Sequence, residues 1–192
     1  IAPGARRVEV VERIAADGAV ITPLDMASAD AAIDRLVGEG VEAVAICLLF
    51  SFLDPAHELA VREAFVGTGV AVSLSHEILA EFREFERMST AVVNAYLGPV
   101  MQRYIRRLAE RLRALGMTAT PHLTQSNGGV MGLEAAANLP VRMVLSGPST
   151  GVVGAQAVGR LAGFPDLITF DMGGTSTDVA LLQSGEPRLA SE

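Results

Sequence analysis

The chain has 192 residues, half of them hydrophobic, and a formal net charge of -7. That length can bury a full core, while the acidic balance argues against a nucleic-acid surface, and no apolar run approaches the roughly 20 residues a membrane span needs. All 15 cationic side chains are arginine, which excludes the lysine of a P-loop and the lysine amine of pyridoxal or aldolase chemistry within this segment. The single Cys47 leaves no disulfide framework and no zinc cluster, and a buried thiol in a reducing cytoplasm is the expectation.

Residues 1–25 alternate short apolar pieces with turn formers and predict a hairpin or two extended segments. Spacing of Ala31, Ala32, Ile33, Leu36 and Val37 predicts a short helix, with Ser28 as a cap and Gly38 or Gly40 as its end. Residues 41–52 have no polar alternation at their centre. That pattern predicts a strand covered on both faces, hence a parallel or mixed sheet with helices on its sides. Asp54-Pro55 opens a helix to about residue 66, residues 70–74 form a strand, and Ser75 caps another helix. Strand and helix alternate as in a layered α/β fold.

Residues 89–115 carry the clearest helical period, through Val93, Leu97, Val100, Met101, Tyr104, Ile105, Leu108 and Leu112. Gly98-Pro99 is expected to kink or divide this helix. Its arginines are read as a solvated face with glutamate partners. His57-Glu58 and His76-Glu77 each begin like a zinc-protease motif, but the second histidine is missing from both, and His122 stands alone.

Strands are predicted at 119–125 and 141–145. The first leads into Ser126-Asn127-Gly128-Gly129, the second into Ser146-Gly147-Pro148-Ser149-Thr150-Gly151. Small polar residues beyond strand ends are where open α/β sheets bind ligands. A helix over 152–161 presents Gly151, Gly154, Ala155 and Gly159, a surface that permits close approach of another backbone.

The stretch DMGGTSTD, Asp171 to Asp178, lies between two apolar runs and predicts strand, turn, strand. Gly173 and Gly174 can adopt backbone angles closed to other residues, so their N–H groups can meet anionic oxygens. Thr175, Ser176 and Thr177 add hydroxyls. Asp171 and Asp178 suit a phosphate only with a divalent cation, read as Mg²⁺, between them. The other reading is a hairpin whose Asp, Gly and Thr satisfy turn geometry alone.

Several pieces, taken in order, resemble the hydantoinase A / 5-oxoprolinase family, which also includes a subunit of acetone carboxylase. They are Ala45-Ile46-Cys47-Leu48-Leu49-Phe50-Ser51, Glu81-Phe82-Arg83-Glu84-Phe85-Glu86-Arg87, and Val93-Asn94-Ala95-Tyr96-Leu97-Gly98-Pro99. Gln125-Ser126-Asn127-Gly128-Gly129, Ser146-Gly147-Pro148 with Gly151-Val152-Val153-Gly154-Ala155, and Asp171 to Asp178 complete the series.

The resemblance implies an α/β, ribonuclease-H-like domain of the actin and hexokinase type, a mixed sheet flanked by helices, as part of a larger two-domain core. It implies that residues 1–163 belong to the first domain, with a helical insertion near 76–116 and a connecting helix near 148–162. Residues 164–192 would open the second ATPase domain. ATP and Mg²⁺ are the implied cofactors. Asp171 would contact the metal and act with Asp178 in catalysis. Gly173, Gly174, Thr175 and Thr177 would meet or hold the phosphate turn, with Ser126, Asn127, Gly128, Ser146 and Gly147 lining the same cleft.

By the same resemblance, the activity is ATP-dependent hydrolysis of a small cyclic amide in the cytoplasm, without nucleic acid or membrane, beside a second subunit or fused domain of the hydantoinase B type. A family hairpin of Asp-x-Gly-Gly-Thr type, expected at the N-terminus of family members, does not occur here. The segment is therefore expected to hold half of an ATP site and to be inactive alone. A carboxylase subunit of the acetone carboxylase type and an actin-like regulatory or chaperone ATPase are the alternatives.

Overall fold

The computed structural model describes residues 2–188, so Ile1 and residues 189–192 of the two expected domain segments lie outside it. The chain divides into two compact units, one of residues 1–108 with 137–141 and one of 109–136 with 142–192.

The first unit begins with the expected hairpin, β1 (Arg13–Ile14) against β2 (Val20–Thr22), antiparallel. Helix α1 (Met26–Gly38) follows, and its cap is Asp25, whose side chain accepts from the Ala27 N–H, rather than Ser28. Ser28 is occupied differently: its hydroxyl donates to the Asp25 carbonyl and accepts from the Val11 N–H. Strand β3 (Ala43–Ile46) then pairs in parallel with β4 (Ala71–Leu74) through the crossover helix α2 (Ala56–Ala64). Ala29, Ile33 and Leu36 of α1, Val61 of α2 with Phe65, Ile46 of β3 and Leu74 of β4 form one buried cluster. Removing such surface from water, at about 25 cal/mol per Å², is the main force holding these elements.

The apolar run 41–52 is a strand for only four residues. Beyond Ile46 the Leu48 peptide leaves the ladder, because its N–H donates to Glu58 Oε1 at 2.9 Å and its carbonyl accepts from the Arg87 guanidinium at 2.7 Å. Phe50 then takes a left-handed backbone, φ 58°, and the chain turns. Cys47 is half-buried and free, not fully buried as expected.

Glu58 anchors a buried polar network. Its carboxylate also accepts from Ser75 Oγ at 2.6 Å and meets His76 Nδ1 at 2.7 Å, while Ser75 Oγ lies 3.2 Å from Ser51 Oγ. Arg87 is fully buried with its guanidinium 5.2 Å from the Phe52 ring, and its Nε has no partner among the described residues. One residue, Leu48, therefore bonds through its N–H to a buried carboxylate and through its carbonyl to a buried guanidinium. The two zinc-like sequences resolve the same way: His57 Nδ1 meets Glu12 Oε2 at 2.8 Å, His76 meets Glu58, and no group of three metal-ligating side chains occurs among the described residues.

A short helix, α3 (Ser75–Ile78), precedes α4 (Glu84–Ala114), 31 residues that run through Pro99 as one helix rather than two. Ala91, Asn94, Ala95, Gly98 and Ile105 form its buried side. The arginines from Arg103 to Arg113 are exposed as expected, Arg103 lying 3.5 Å from Glu42. Although long, α4 is too polar to cross a membrane, and no helix among the described residues is long and apolar enough to do so.

In the second unit, β5 (His122–Thr124) and β6 (Val130–Gly132) form a hairpin, followed by α5 (Leu133–Asn138). The strand expected at 141–145 is absent. Pro140, which lacks an N–H, begins a 3₁₀ turn over Pro140–Met143, and Leu145 takes a left-handed backbone, φ 58°, immediately before α6 (Ser146–Ala162). Helix α6 therefore starts six residues earlier than its periodicity suggests. Strands β7 (Leu167–Met172), β8 (Thr177–Gln183) and β9 (Glu186–Pro187) form an antiparallel sheet. Across the described residues the strands fall into four sheets of two, two, two and three strands, so the fold is mixed α/β without the single mixed sheet expected.

Candidate nucleotide-phosphate site

DMGGTSTD forms the end of the β7–β8 hairpin, as its sequence predicts. The register pairs Asp171 with Asp178 and Met172 with Thr177, and the Gly173 N–H donates to the Ser176 carbonyl at 3.0 Å to close the four-residue turn. Residues 171–177 are exposed and Asp178 is half-buried. Neither Gly173 nor Gly174 lies in the left-handed region, so the conformational reason for them does not hold. A Cβ at Gly174 would meet nothing within 4 Å and one at Gly173 only the Ser176 carbonyl at 3.8 Å, so the turn's backbone is bare on that side.

Two carboxylates stand opposite each other across the ladder. Like charges directly opposite destabilise a sheet, and a cation held by both would remove that cost. One or two carboxylates together with phosphate oxygens and water is the donor set Mg²⁺ takes, so Asp171 and Asp178 fit that ion.

The second unit also links the other two glycine-rich segments to this hairpin. Ser126, Asn127, Gly128 and Gly129 make the β5–β6 turn. Asn127 Oδ1 accepts from the Gly129 N–H at 2.9 Å, and Gly128 supplies a left-handed residue, φ 83°, with the space of its absent side chain taken by Val153 of α6, 2.8 Å from an ideal Cβ. The Ser126 N–H donates to the Arg142 carbonyl at 2.7 Å, and its own carbonyl accepts from Ser149 Oγ in the first turn of α6. Ser146 and Gly147 open that turn, beyond a 3₁₀ turn rather than a strand, and the Ser146 carbonyl accepts from Thr150 Oγ1 at 2.7 Å. A Cβ at Gly151 would sit 4.0 Å from Asp171 Oδ2. The first turns of α6 thus hold the 126–129 turn and pass close to Asp171 near the end of β7.

The small-residue surface of α6 accounts for the close packing. A Cβ on Gly159 would collide with Leu167 Cδ2 and lie 2.8 Å from the Phe164 carbonyl, whereas one on Gly154 would meet nothing. Farther along, Gln156 Nε2 and Arg160 Nη2 donate to the Gly185 carbonyl at 2.6 and 3.0 Å, and Arg160 pairs with Glu186 at 2.5 Å. These clamps hold the β8–β9 turn on α6. Sequence reading did not find them, since their only signal is two polar residues four apart on an otherwise small and apolar helix.

Comparison with known proteins gives the class. A family profile described as Hydantoinase/oxoprolinase matches residues 87–192, and one described as the Hydantoinase/oxoprolinase N-terminal region matches residues 1–68. The chain belongs to the hydantoinase/oxoprolinase family. It is similar to caprolactamase subunit alpha of Pseudomonas jessenii, with 38% identity over 94% of this chain and 26% of that one. It is also similar to 5-oxoprolinase of Saccharomyces cerevisiae, with 33% identity over 86% of this chain and 13% of the relative. Among solved structures, a nucleotide-free acetone carboxylase described in terms of ATP-dependent acetone carboxylation superposes with a TM-score of 0.81 at 28% identity, over 92% of this chain and 26% of that one. The chain thus spans about a quarter or less of the length of these relatives.

Proposed function

We propose that this chain carries part of the nucleotide site of an ATP-dependent hydrolase of small cyclic amides. The observation that carries the reading is the exposed turn between Asp171 and Asp178, with bare backbone at Gly173 and Gly174 and two opposed carboxylates. The kinship with caprolactamase and 5-oxoprolinase supports the substrate class. On this reading residues 1–163 belong to one ribonuclease-H-like domain and 164–192 open a second, of the actin type. The longer protein works in the cytoplasm beside a second subunit, as the name of the caprolactamase relative suggests for that protein.

An unstrained lactam is a poor electrophile, and ATP would supply a phosphoryl group that turns the amide oxygen into a leaving group. The chain's residues position and neutralise charge. Backbone N–H groups of Gly174 and Thr175 would receive phosphate oxygens beside Gly173, whose own N–H closes the turn, Asp171 with Asp178 would hold Mg²⁺, and Thr177 would hold the turn. Ser126, Asn127, Gly128, Ser146 and Gly147 line the approach.

In a longer protein that carries this sequence, Asp171→Ala is expected to abolish 5-oxoproline- or caprolactam-dependent ADP release with an unchanged circular dichroism spectrum. Normal turnover in that variant moves the metal elsewhere. The acetone carboxylase likeness supports a second reading, phosphoryl transfer in a carboxylation, for which ADP release would depend on acetone and bicarbonate and ignore lactams.

A further inference from the structure

A cavity of about 270 Å³ lies within the first unit, between β4, the end of α2, α3, α4 and residues 137–139. It is remote in sequence from the phosphate turn and no step above uses it. Pockets for drug-sized ligands start near 300 Å³, so this one suits a smaller molecule. Its walls are unusually polar for a space beside a hydrophobic core. Ser73 and Asn94 are both buried, Gln102 contributes an amide from the next turns of α4, and Arg62 and Glu77 also line the space.

The hydrogen bonds say which chemistry is left for an occupant. Asn94 is spent on the wall: its Nδ2 donates to Ser73 Oγ at 3.0 Å and to the Asn138 carbonyl at 3.0 Å, and its Oδ1 accepts from the Val141 N–H at 3.2 Å. Because Ser73 Oγ accepts from Asn94, its own hydrogen remains for an acceptor in the cavity. Gln102 offers a donor and an acceptor side by side. Arg62 and Glu77 pair with each other at 2.6 Å, so their charges cancel and the lining favours neither an anion nor a cation. A neutral occupant with a carbonyl and an N–H on one edge matches that set: the edge pairs with the Gln102 amide and the carbonyl takes the Ser73 hydroxyl.

The small side of α4 keeps the space open. Ala95 and Gly98 are buried and line the cavity, and a Cβ on Gly98 would meet nothing within 4 Å. A glycine there also relieves the clash a side chain would make with the ring of the following Pro99, so the filling test below uses Ala95.

We propose that this cavity is a binding site for a small neutral amide whose carbonyl and N–H share one edge, as in a five- or six-membered lactam. The site rests on the functional reading above only for the idea that such an amide is a substrate; binding itself requires no nucleotide. The probe is 2-pyrrolidone, titrated into the 192-residue chain without ATP and followed by ligand-observed NMR. Saturation with a Kd on the order of millimolar is expected. Ala95→Leu, which fills the cavity from a helix position where leucine is well tolerated, removes saturation while the melting temperature holds. Gln102→Leu, which keeps the volume and deletes the amide, raises Kd about tenfold, and cyclopentanone, the same ring without the N–H, binds about tenfold more weakly than 2-pyrrolidone. Wild-type affinity in folded Ala95→Leu overturns the location, and equal binding of cyclopentanone or by Gln102→Leu overturns amide recognition. Absence of saturation at about 50 mM overturns the site itself. Because nucleotide is absent throughout, none of these results bears on the Asp171 turn.

Discussion

Strands β3 and β4 and strands β7 and β8 are built on opposite plans. The parallel pair β3–β4 rests against α1 and α2, and the polar groups that end it, Glu58 and Arg87, are buried and bonded to its own backbone. The antiparallel pair β7–β8 rests on α6 by one face only. Its other face, Ile168, Phe170 and Met172 with Leu181 and Val179, is exposed, each of these between 49% and 69%. One pair is held by side chains, the other by its ladder. The lesson is that the 171–178 turn sits where conformation is fixed by backbone pairing, which leaves its acids and hydroxyls exposed.

That difference predicts where the molecule breaks. The largest effect belongs to Glu58→Ala, which strands the Leu48 N–H and takes the buried carboxylate away from Ser75 Oγ and His76 Nδ1. Losing one partner of a buried charged network costs about 3–5 kcal/mol, read as a lower midpoint in urea unfolding. A midpoint within error of wild type would mean that the network is not what holds the parallel pair.

The intermediate effect tests the one covered face of β7–β8. Gly159→Ala places a Cβ against Leu167 and the Phe164 carbonyl, a backbone atom that cannot swing aside. Alanine is the better helix former by about 1 kcal/mol, yet overpacking costs about 1–3 kcal/mol, so a net loss of stability is expected. A gain would show that α6 and β7 separate freely. Gly154→Ala is the control, since its Cβ meets open space and the helix propensity gain alone should appear.

Legibility follows the same division. The hairpin at 171–178, the helices α1, α2 and α4, and strand β4 were readable because their signals are local: turn residues, caps and a 3.6-residue period. The length of β3 was not, because the groups that pull Leu48 out of the ladder come from ten and thirty-nine residues downstream. The first six residues of helix α6 are hidden in the sequence because Ser146-Gly147-Pro148 resembles a loop, and the helix start depends on the left-handed backbone at Leu145. The linkage of the 126–129 turn to α6 through Ser149, and the polar cavity around Asn94, are tertiary facts with no period to betray them. Glycine was the residue most easily misjudged. Gly173 and Gly174 invite backbone angles closed to other residues yet stay out of the left-handed region, and of the glycines expected to line the cleft Gly128 is the one that uses it.

The smallest expected effect on stability is the sharpest test of what the 171–178 turn is for. Asp171 and Asp178 face each other across β7 and β8, an arrangement that a purely structural hairpin would avoid. Asp171→Asn removes the opposition and keeps the shape, so in the absence of metal the 192-residue chain should gain about 0.2–1 kcal/mol, seen as a slightly higher urea midpoint that converges with wild type as salt is raised. Added Mg²⁺ should raise the wild-type midpoint and leave Asp171→Asn where it is, because the variant lacks the second carboxylate. If the substitution destabilises the chain, the acids hold the turn through contacts of their own and the functional reading of the pair fails. If it stabilises the chain, the sequence keeps two opposed carboxylates at a cost in stability, which is the signature of a site retained for its ligand.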